Sequence, residues 1–178
     1  MVYGSNPDIH QMKNSKELEF ENLYNTHKDK LFRLCLGFAR DSSVAHDLFQ
    51  EILLKIWSHL DSFRNESSIS TWIYRIAYNT AITFSAKENN HPDHTELING
   101  MELADPESNS LEMEFQLKKL YEAINSLPET DRVIATLLLE NTRYKTIAEV
   151  TGISENYVAV KINRIKSSLM KTLNPNGK

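Results

Sequence analysis

Cysteine is nearly absent from this 178-residue chain. Cys35 stands alone, which excludes an intramolecular disulfide and any multi-thiolate metal site. It lies among Leu34, Leu36 and Phe38 and is expected to pack as a small core residue. Glycine and proline are scarce, five of each, too few for the many tight turns of a strand-rich architecture. Apolar runs such as Ile52-Leu53-Leu54 and Leu137-Leu138-Leu139 are far too short to span a bilayer. The stretch MVYGSNPDIHQ lacks the basic start and apolar core of a signal peptide, so direct membrane insertion is not expected and a cytoplasmic location is. There is no phosphate-binding loop, no nucleophile–base pair and no carboxylate pair at a predictable separation, so no catalytic residues are assigned. His91 and His94 form the one close histidine pair, but they flank Pro92 without partner ligands; neither a metal nor a cofactor is expected.

Hydrophobic residues make up 40% of the chain and charged residues 25%, the balance of a globular protein. The net charge of −4 is wrong for a protein that holds DNA by its own charge, but its distribution is uneven. Residues 142–178 carry seven Lys/Arg against Glu149 and Glu155, a net of +5, whereas residues 86–114 carry eight acids against Lys87, a net of −7. The basic end suits phosphates; the acidic middle repels them.

The organisation follows from helical periodicity. Residues 1–13 are polar and aperiodic, and read as a flexible tail. Asn14 with Glu17 starts a helix whose stripe is Leu18, Leu23, Leu31, Leu34 and Phe38. Asp41-Ser42-Ser43 breaks it and caps a second helix to about Leu60, with Ala45, Leu48, Phe49, Ile52, Ile56 and Leu60 on its buried face. Asp47, Gln50, Glu51 and Leu54 gather on the opposite face; a polar stripe of this kind is ordinarily a solvated face, but a leucine among exposed acids suggests a contact surface. Asp61–Ser70 is a polar loop holding Phe63 and Arg64, and a third helix runs from about Thr71 into the mid-80s. In it Trp72, Ile73, Ile76, Ala77 and Phe84 serve the core, leaving Tyr74, Arg75, Tyr78 and Asn79 as an aromatic and basic face. Such a face offers bases a surface to stack on and phosphates a cation, although the same aromatics would also serve a core.

Residues 88–108 read as an acidic linker between two units, 14–87 and 109–173, with 174–178 a tail. In the second unit Leu111, Phe115, Leu120, Tyr121 and Ile124 form a core stripe, and Pro128 suits the first position of the next helix. Tyr144–Val150 then makes a short helix with Ile147, Ala148 and Val150 apolar, and Thr151-Gly152-Ile153 supplies a tight turn. Ser154 caps a last helix patterned by Val158, Ile162, Ile165 and Leu169. Two helices joined by a three-residue turn containing Gly follow the helix-turn-helix pattern, in which the second helix lies in the major groove, although an ordinary helical hairpin has the same outline.

The expected fold is therefore all-α, two small helical domains joined by an acidic flexible linker. Four segments, FENLYNTHKDKLFRLCLGFARD, DLFQEILLKIW, FRNESSISTWIYRIAYNTA and LPETDRVIATLLLENTRYKTIAEVTGISENYVAVKINRIKSSL, in this order resemble the extracytoplasmic-function group of RNA polymerase sigma factors in the sigma-70 family. The resemblance implies a non-catalytic subunit that binds core RNA polymerase and directs initiation at promoters with −35 and −10 elements. It implies that Asp47, Gln50, Glu51 and Leu54 meet the clamp helices of the largest polymerase subunit, with Trp57 structural. It implies a pocket for unpaired −10 bases formed by Phe63, Arg64, Asn65, Glu66, Ser67 and Ser68, with Trp72, Arg75, Tyr78 and Asn79 at its floor or on the backbone. At −35, Ser154, Glu155, Asn156, Tyr157, Ala159 and Val160 would face bases or nearby backbone, and Lys161, Arg164 and Lys166 phosphates. Further implied partners are the flap of the second-largest polymerase subunit and an anti-sigma factor, membrane-bound in many relatives. The chain departs from the family pattern in offering only Lys87 where the third helix usually ends in a basic cluster, in Thr146 for a common Glu, and in Asn156-Tyr157 for a frequent Gly-Thr. Two other classes account for less of the chain. A dimeric helix-turn-helix regulator leaves DLFQEILLKIW unexplained, and a helical-bundle enzyme has no assembled acid–base pair.

Overall fold

The computed structural model describes the backbone of residues 7–39, 41–88 and 111–174. Glu88, the first residue of the proposed linker, still belongs to a helix; residues 89–108, with the His91/His94 pair, and the C-terminal tail beyond 174 lie outside the described residues. Among the described residues seven helices follow in order: α1 (Pro7–Leu36), α2 (Ser42–His59), α3 (Ile69–Glu88), α4 (Leu111–Asn125), α5 (Glu129–Leu139), α6 (Tyr144–Thr151) and α7 (Glu155–Leu173), with one 3-10 turn at Leu60–Ser62. No strand occurs among the described residues.

In the first half α2 packs against both α1 and α3. Asp41 caps α2 by accepting the Val44 N–H at 2.9 Å, and the helix buries Ala45, Leu48, Ile52 and Ile56 as its spacing requires. Each fully buried Leu or Ile contributes about 1.5–3 kcal/mol. In the second half α7 is the hub, touching α4, α5 and α6 and burying Val158, Ile162 and Ile165. Gly152 ends α6 at φ 74°, the left-handed conformation that turns the chain into α7.

Several expectations need correction. Helix α1 begins at Pro7, not Asn14, so residues 7–13 are helical; proline tolerates the first helical position because that N–H needs no partner. Leu18 is 54% exposed and belongs to no core stripe. At 3.6 residues per turn it falls roughly 140° from Leu23. Phe115 is likewise 54% exposed, because nine residues place it roughly 180° from the buried Ile124; Lys119 lies over its ring instead. Pro128 precedes α5 as its N-cap, with an extended ψ of 147°, rather than entering the helix. Tyr74 is buried, because α3 is covered on two sides, by α1 and α2 and by α5 and α6.

That last contact sets the architecture. The two halves share one continuous core, running from Leu31, Leu48 and Ile73 through Ile124 and Ile134 to Ile162. At its seam the turn after α1 comes so close to the second half that a Cβ on Gly37 would sit 3.0 Å from Thr136 Oγ1.

Candidate nucleic-acid interface

Three surfaces carry the residues singled out by sequence. The first is the outer side of α2. Asp47, Gln50 and Leu54 are exposed and Glu51 half-exposed, its Oε1 2.9 Å from Lys55 Nζ one turn on. Leu54 is 68% exposed, whereas Leu48 and Ile52 on the same helix are sealed. Trp57 extends this surface more than expected. Phe20 meets its ring edge-on at 5.2 Å and Lys16 Nζ sits 4.8 Å above it, yet more than a third of the residue remains open.

The second surface is the loop before α3. Phe63 packs on Trp72 with ring centroids 5.2 Å apart, so both are half-buried and hold the loop down. Arg64, Asn65 and Glu66 are exposed and Ser67 half-exposed; Asn65 takes the left-handed φ of 57° that reverses the chain. Ser68 Oγ accepts the Thr71 N–H at 3.1 Å and bonds Thr71 Oγ1 at 2.8 Å, so this hydroxyl caps α3 and is already engaged. Tyr78 is half-buried and Asn79 exposed. Arg75 is exposed but not idle: its Nε and Nη2 donate to the Glu149 carbonyl at 3.2 and 2.8 Å. Beside this loop runs a groove of about 340 Å³ that Trp72 and Asn79 line together with Lys55, His59, Ser62 and Thr83, residues not assigned from sequence. The i,i+4 pairs Lys55/His59 and Asn79/Thr83 are the signal that could have found it.

The third surface is the helix-turn-helix. Ser154 Oγ accepts the Tyr157 N–H at 3.3 Å, fixing the first turn of α7. Glu155, Asn156, Tyr157 and Val160 are exposed beside it, and Ala159 is half-buried. Arg164 and Lys166 are free of ion pairs among the described residues and exposed, with Asn163, Ser167 and Lys171 continuing a polar strip along α7. Lys161 differs: its Nζ is 2.6 Å from Asp131 Oδ1, which ties α7 to α5 and takes this cation away from phosphate in the packing seen here.

The titratable groups that deviate lie inward. Burial holds the His27 imidazole below its ordinary pKa, and nearby Lys30 adds to the effect; His27 Nδ1 has no hydrogen-bond partner and its ring stands edge-on to Tyr74. Burial pushes the Tyr74 and Tyr121 phenols up to about 12. The Cys35 thiol is fully buried and raised as well, in keeping with a packing role. No group of three or more potential metal ligands occurs among the described residues, and no described helix is long and apolar enough to cross a membrane.

Comparison with known proteins adds a second line. Residues 23–91 match the family model for Sigma-70 region 2, and residues 117–169 that for Sigma-70, region 4. The ECF RNA polymerase sigma-E factor of Escherichia coli is 31% identical over 141 residues, covering 72% of this chain and 73% of the relative. The corresponding sigma-E factor of Haemophilus influenzae is 26% identical over 179 residues, 94% of each chain. Among solved structures, the sigma factor RpoE in complex with the anti-sigma factor NepR from Bartonella quintana superposes with a TM-score of 0.70 at 20% identity, covering 89% of this chain and 99% of that one. At that identity the likeness establishes the fold.

Proposed function

The chain belongs to the extracytoplasmic-function group of sigma-70 factors, and from that premise we propose how its three surfaces divide the work of an alternative sigma factor. Such a subunit directs promoter-specific initiation by core RNA polymerase. In our reading residues 14–87 bind core and take the −10 element, residues 109–173 take the −35 element, and 88–108 tether them. The chain makes and breaks no covalent bond and acts in the cytoplasm.

The outer side of α2 docks on the clamp helices of the largest polymerase subunit. The observation that carries this is Leu54, left open to water among Asp47, Gln50 and Glu51 on a helix whose other apolar face is sealed. A large apolar side chain ringed by polar groups is what a protein partner covers most profitably. Arg64, Asn65, Glu66 and Ser67 then present the groups that read an unpaired −10 base, with Phe63 and Trp72 as the stacked floor. Asn79 and the groove beside it guide the strand. On α7 the exposed Glu155, Asn156, Tyr157 and Val160 face the major groove at −35, and Arg164 and Lys166 hold phosphates. Charge complementarity with DNA is modest, which is consistent with affinity borrowed from core: joining two weak contacts through one large partner raises their effective concentration. The flap of the second-largest subunit is the expected seat of the second domain, and an anti-sigma factor that covers the α2 face is the expected regulator.

The test is transcription of fragmented genomic DNA by purified core polymerase with and without the protein, sequencing the new starts. New starts sharing two upstream elements at fixed spacing are expected, and Asp47→Ala combined with Glu51→Ala should abolish them by weakening core binding. Undiminished core affinity in that double variant would overturn the assignment of the α2 face.

A further inference from the structure

The start of α7 carries a small network of its own. Lys161 Nζ lies 2.6 Å from Oδ1 of Asp131, in the first turn of α5, and 5.5 Å from the centre of the Tyr157 ring, one turn back on α7. The ion pair is mostly covered, with 20% of the Lys161 side chain and 17% of the Asp131 side chain open. Tyr157 is 45% exposed. One cation thus grips a carboxylate of a neighbouring helix while facing an exposed aromatic ring, close enough for the ring to attract it.

Those contacts decide what Lys161 can do. Turning it toward a DNA phosphate would break a covered pair and leave Asp131 with an uncompensated charge. Arg164 and Lys166, exposed and outside every ion pair among the described residues, carry no such penalty. The same contacts restrain Tyr157 at two points. Its backbone N–H donates to Ser154 Oγ at 3.3 Å, and its ring faces an ammonium group that Asp131 fixes in turn. A side chain restrained before it binds loses less freedom on binding than a loose one. Tyr157 stands in the first turn of the helix assigned to the major groove at −35, where the thymine C5-methyl is the one methyl group that unmodified bases present. An aromatic ring offers that methyl an apolar contact. Asn156-Tyr157 also replaces a frequent Gly-Thr, so such a contact would be particular to this chain.

We propose that Asp131 and Lys161 are positioning residues that hold the Tyr157 ring for contact with a thymine methyl in the −35 element, and that Lys161 is not a phosphate ligand. The proposal rests on the sigma-factor reading for its DNA target, whereas the restraint on the ring belongs to the free chain. Tyr157 supplies the discrimination and the Asp131–Lys161 pair supplies its aim.

The experiment titrates holoenzyme, assembled from the full chain and core polymerase, with promoter fragments mapped from transcript starts. Each thymine of the −35 element, on either strand, is replaced in turn by deoxyuridine, which deletes only the methyl. One replacement should weaken binding about fourfold, the worth of one buried methyl group. That penalty should vanish in Tyr157→Ala and persist in Tyr157→Phe and Lys161→Arg. Lys161→Met combined with Asp131→Asn removes the pair without leaving a bare charge; it should shrink the penalty below about twofold and leave the dependence on salt unchanged. In the free chain, NMR relaxation of isotope-labelled tyrosine rings, with Tyr157 assigned through Tyr157→Phe, should show a rigid ring that loosens in the double variant and stays rigid in Lys161→Arg. A loose Tyr157 ring in the unmodified free chain would overturn the positioning role. No penalty at any thymine would overturn the methyl contact. A salt slope lowered by about one in the double variant, with the methyl penalty intact, would make Lys161 a phosphate ligand and overturn the proposal. Absence of any promoter-directed start would strike the sigma-factor reading and the DNA target with it, and the ring measurement would still decide the positioning role.

Discussion

If α2 docks on core polymerase as proposed, Leu54→Ala should separate folding from docking. With 68% of the residue open in the free chain, folding gains little from its side chain, and truncation should change stability by no more than about 0.5 kcal/mol. Ile52, two residues away and fully buried, is the internal contrast. Ile52→Ala leaves a cavity and should cost about 2–5 kcal/mol. Docking reverses the order. Complete burial of a leucine side chain contributes about 1.5–3 kcal/mol, and about two thirds of that remains for a partner to collect. Covering it therefore contributes about 1–2 kcal/mol, so Leu54→Ala should weaken core polymerase binding by about 5- to 30-fold. Thermal unfolding of the two variants, paired with titration of fluorescently labelled protein by core polymerase, measures both quantities. The reasoning fails if Leu54→Ala lowers Tm as much as Ile52→Ala, or if it leaves the affinity for core unchanged.

Two further perturbations test the interior. Gly152→Ala adds a methyl that meets nothing within 4 Å, so its cost is the left-handed backbone alone. A loss of about 1–2 kcal/mol by chemical denaturation is expected, and an unchanged midpoint would refute the strain argument. Burial holds the His27 pKa below its ordinary 6.5 in the fold, so the unfolded chain takes up the proton first as pH falls. Stability from this site should be complete above about pH 6.5 and decline below it, levelling only beneath the folded-state pKa. His27→Gln should flatten that part of the stability–pH curve, and a slope identical to the unmodified protein would assign the acid sensitivity elsewhere.

What the sequence makes legible here is what depends on near neighbours. The helix-turn-helix is such a case, since Gly152 at positive φ, the Ser154 cap and the Val158–Ile162–Ile165 spacing all act within one or two turns. The α2 face is another, because one helical phase sorts Leu48 and Ile52 inward and leaves Leu54 outward. Leu18 and Phe115 are apolar residues near a stripe, but their angular offset from Leu23 and Ile124 turns both to solvent. The seam was out of reach for a different reason. Arg33 and Glu140 are 107 residues apart, and neither carries a local mark of its partner. Tyr74 and Thr71 are buried by that same long-range contact, so an apparently free aromatic and polar face of α3 proved to be half interface. The site residues inherit this division. Arg64, Asn65 and Glu66 stand in the open, whereas Ser68, Lys161 and Arg75 are drawn into a cap, an ion pair and the seam.

The shared core also has a genetic corollary. Ile134 in α5 and Ile73 in α3 belong to one cluster although they sit in different halves of the chain. A lesion at Ile134 should therefore deplete the folded pool as a whole, and its phenotype should spread over every promoter regardless of which element is altered. A substitution at Val160, exposed on α7, should discriminate among promoters and leave abundance untouched. Alleles of this protein would then sort by depth in the core before they sort by position along the chain, and allele-specific suppression by promoter mutations should be confined to the shallow class.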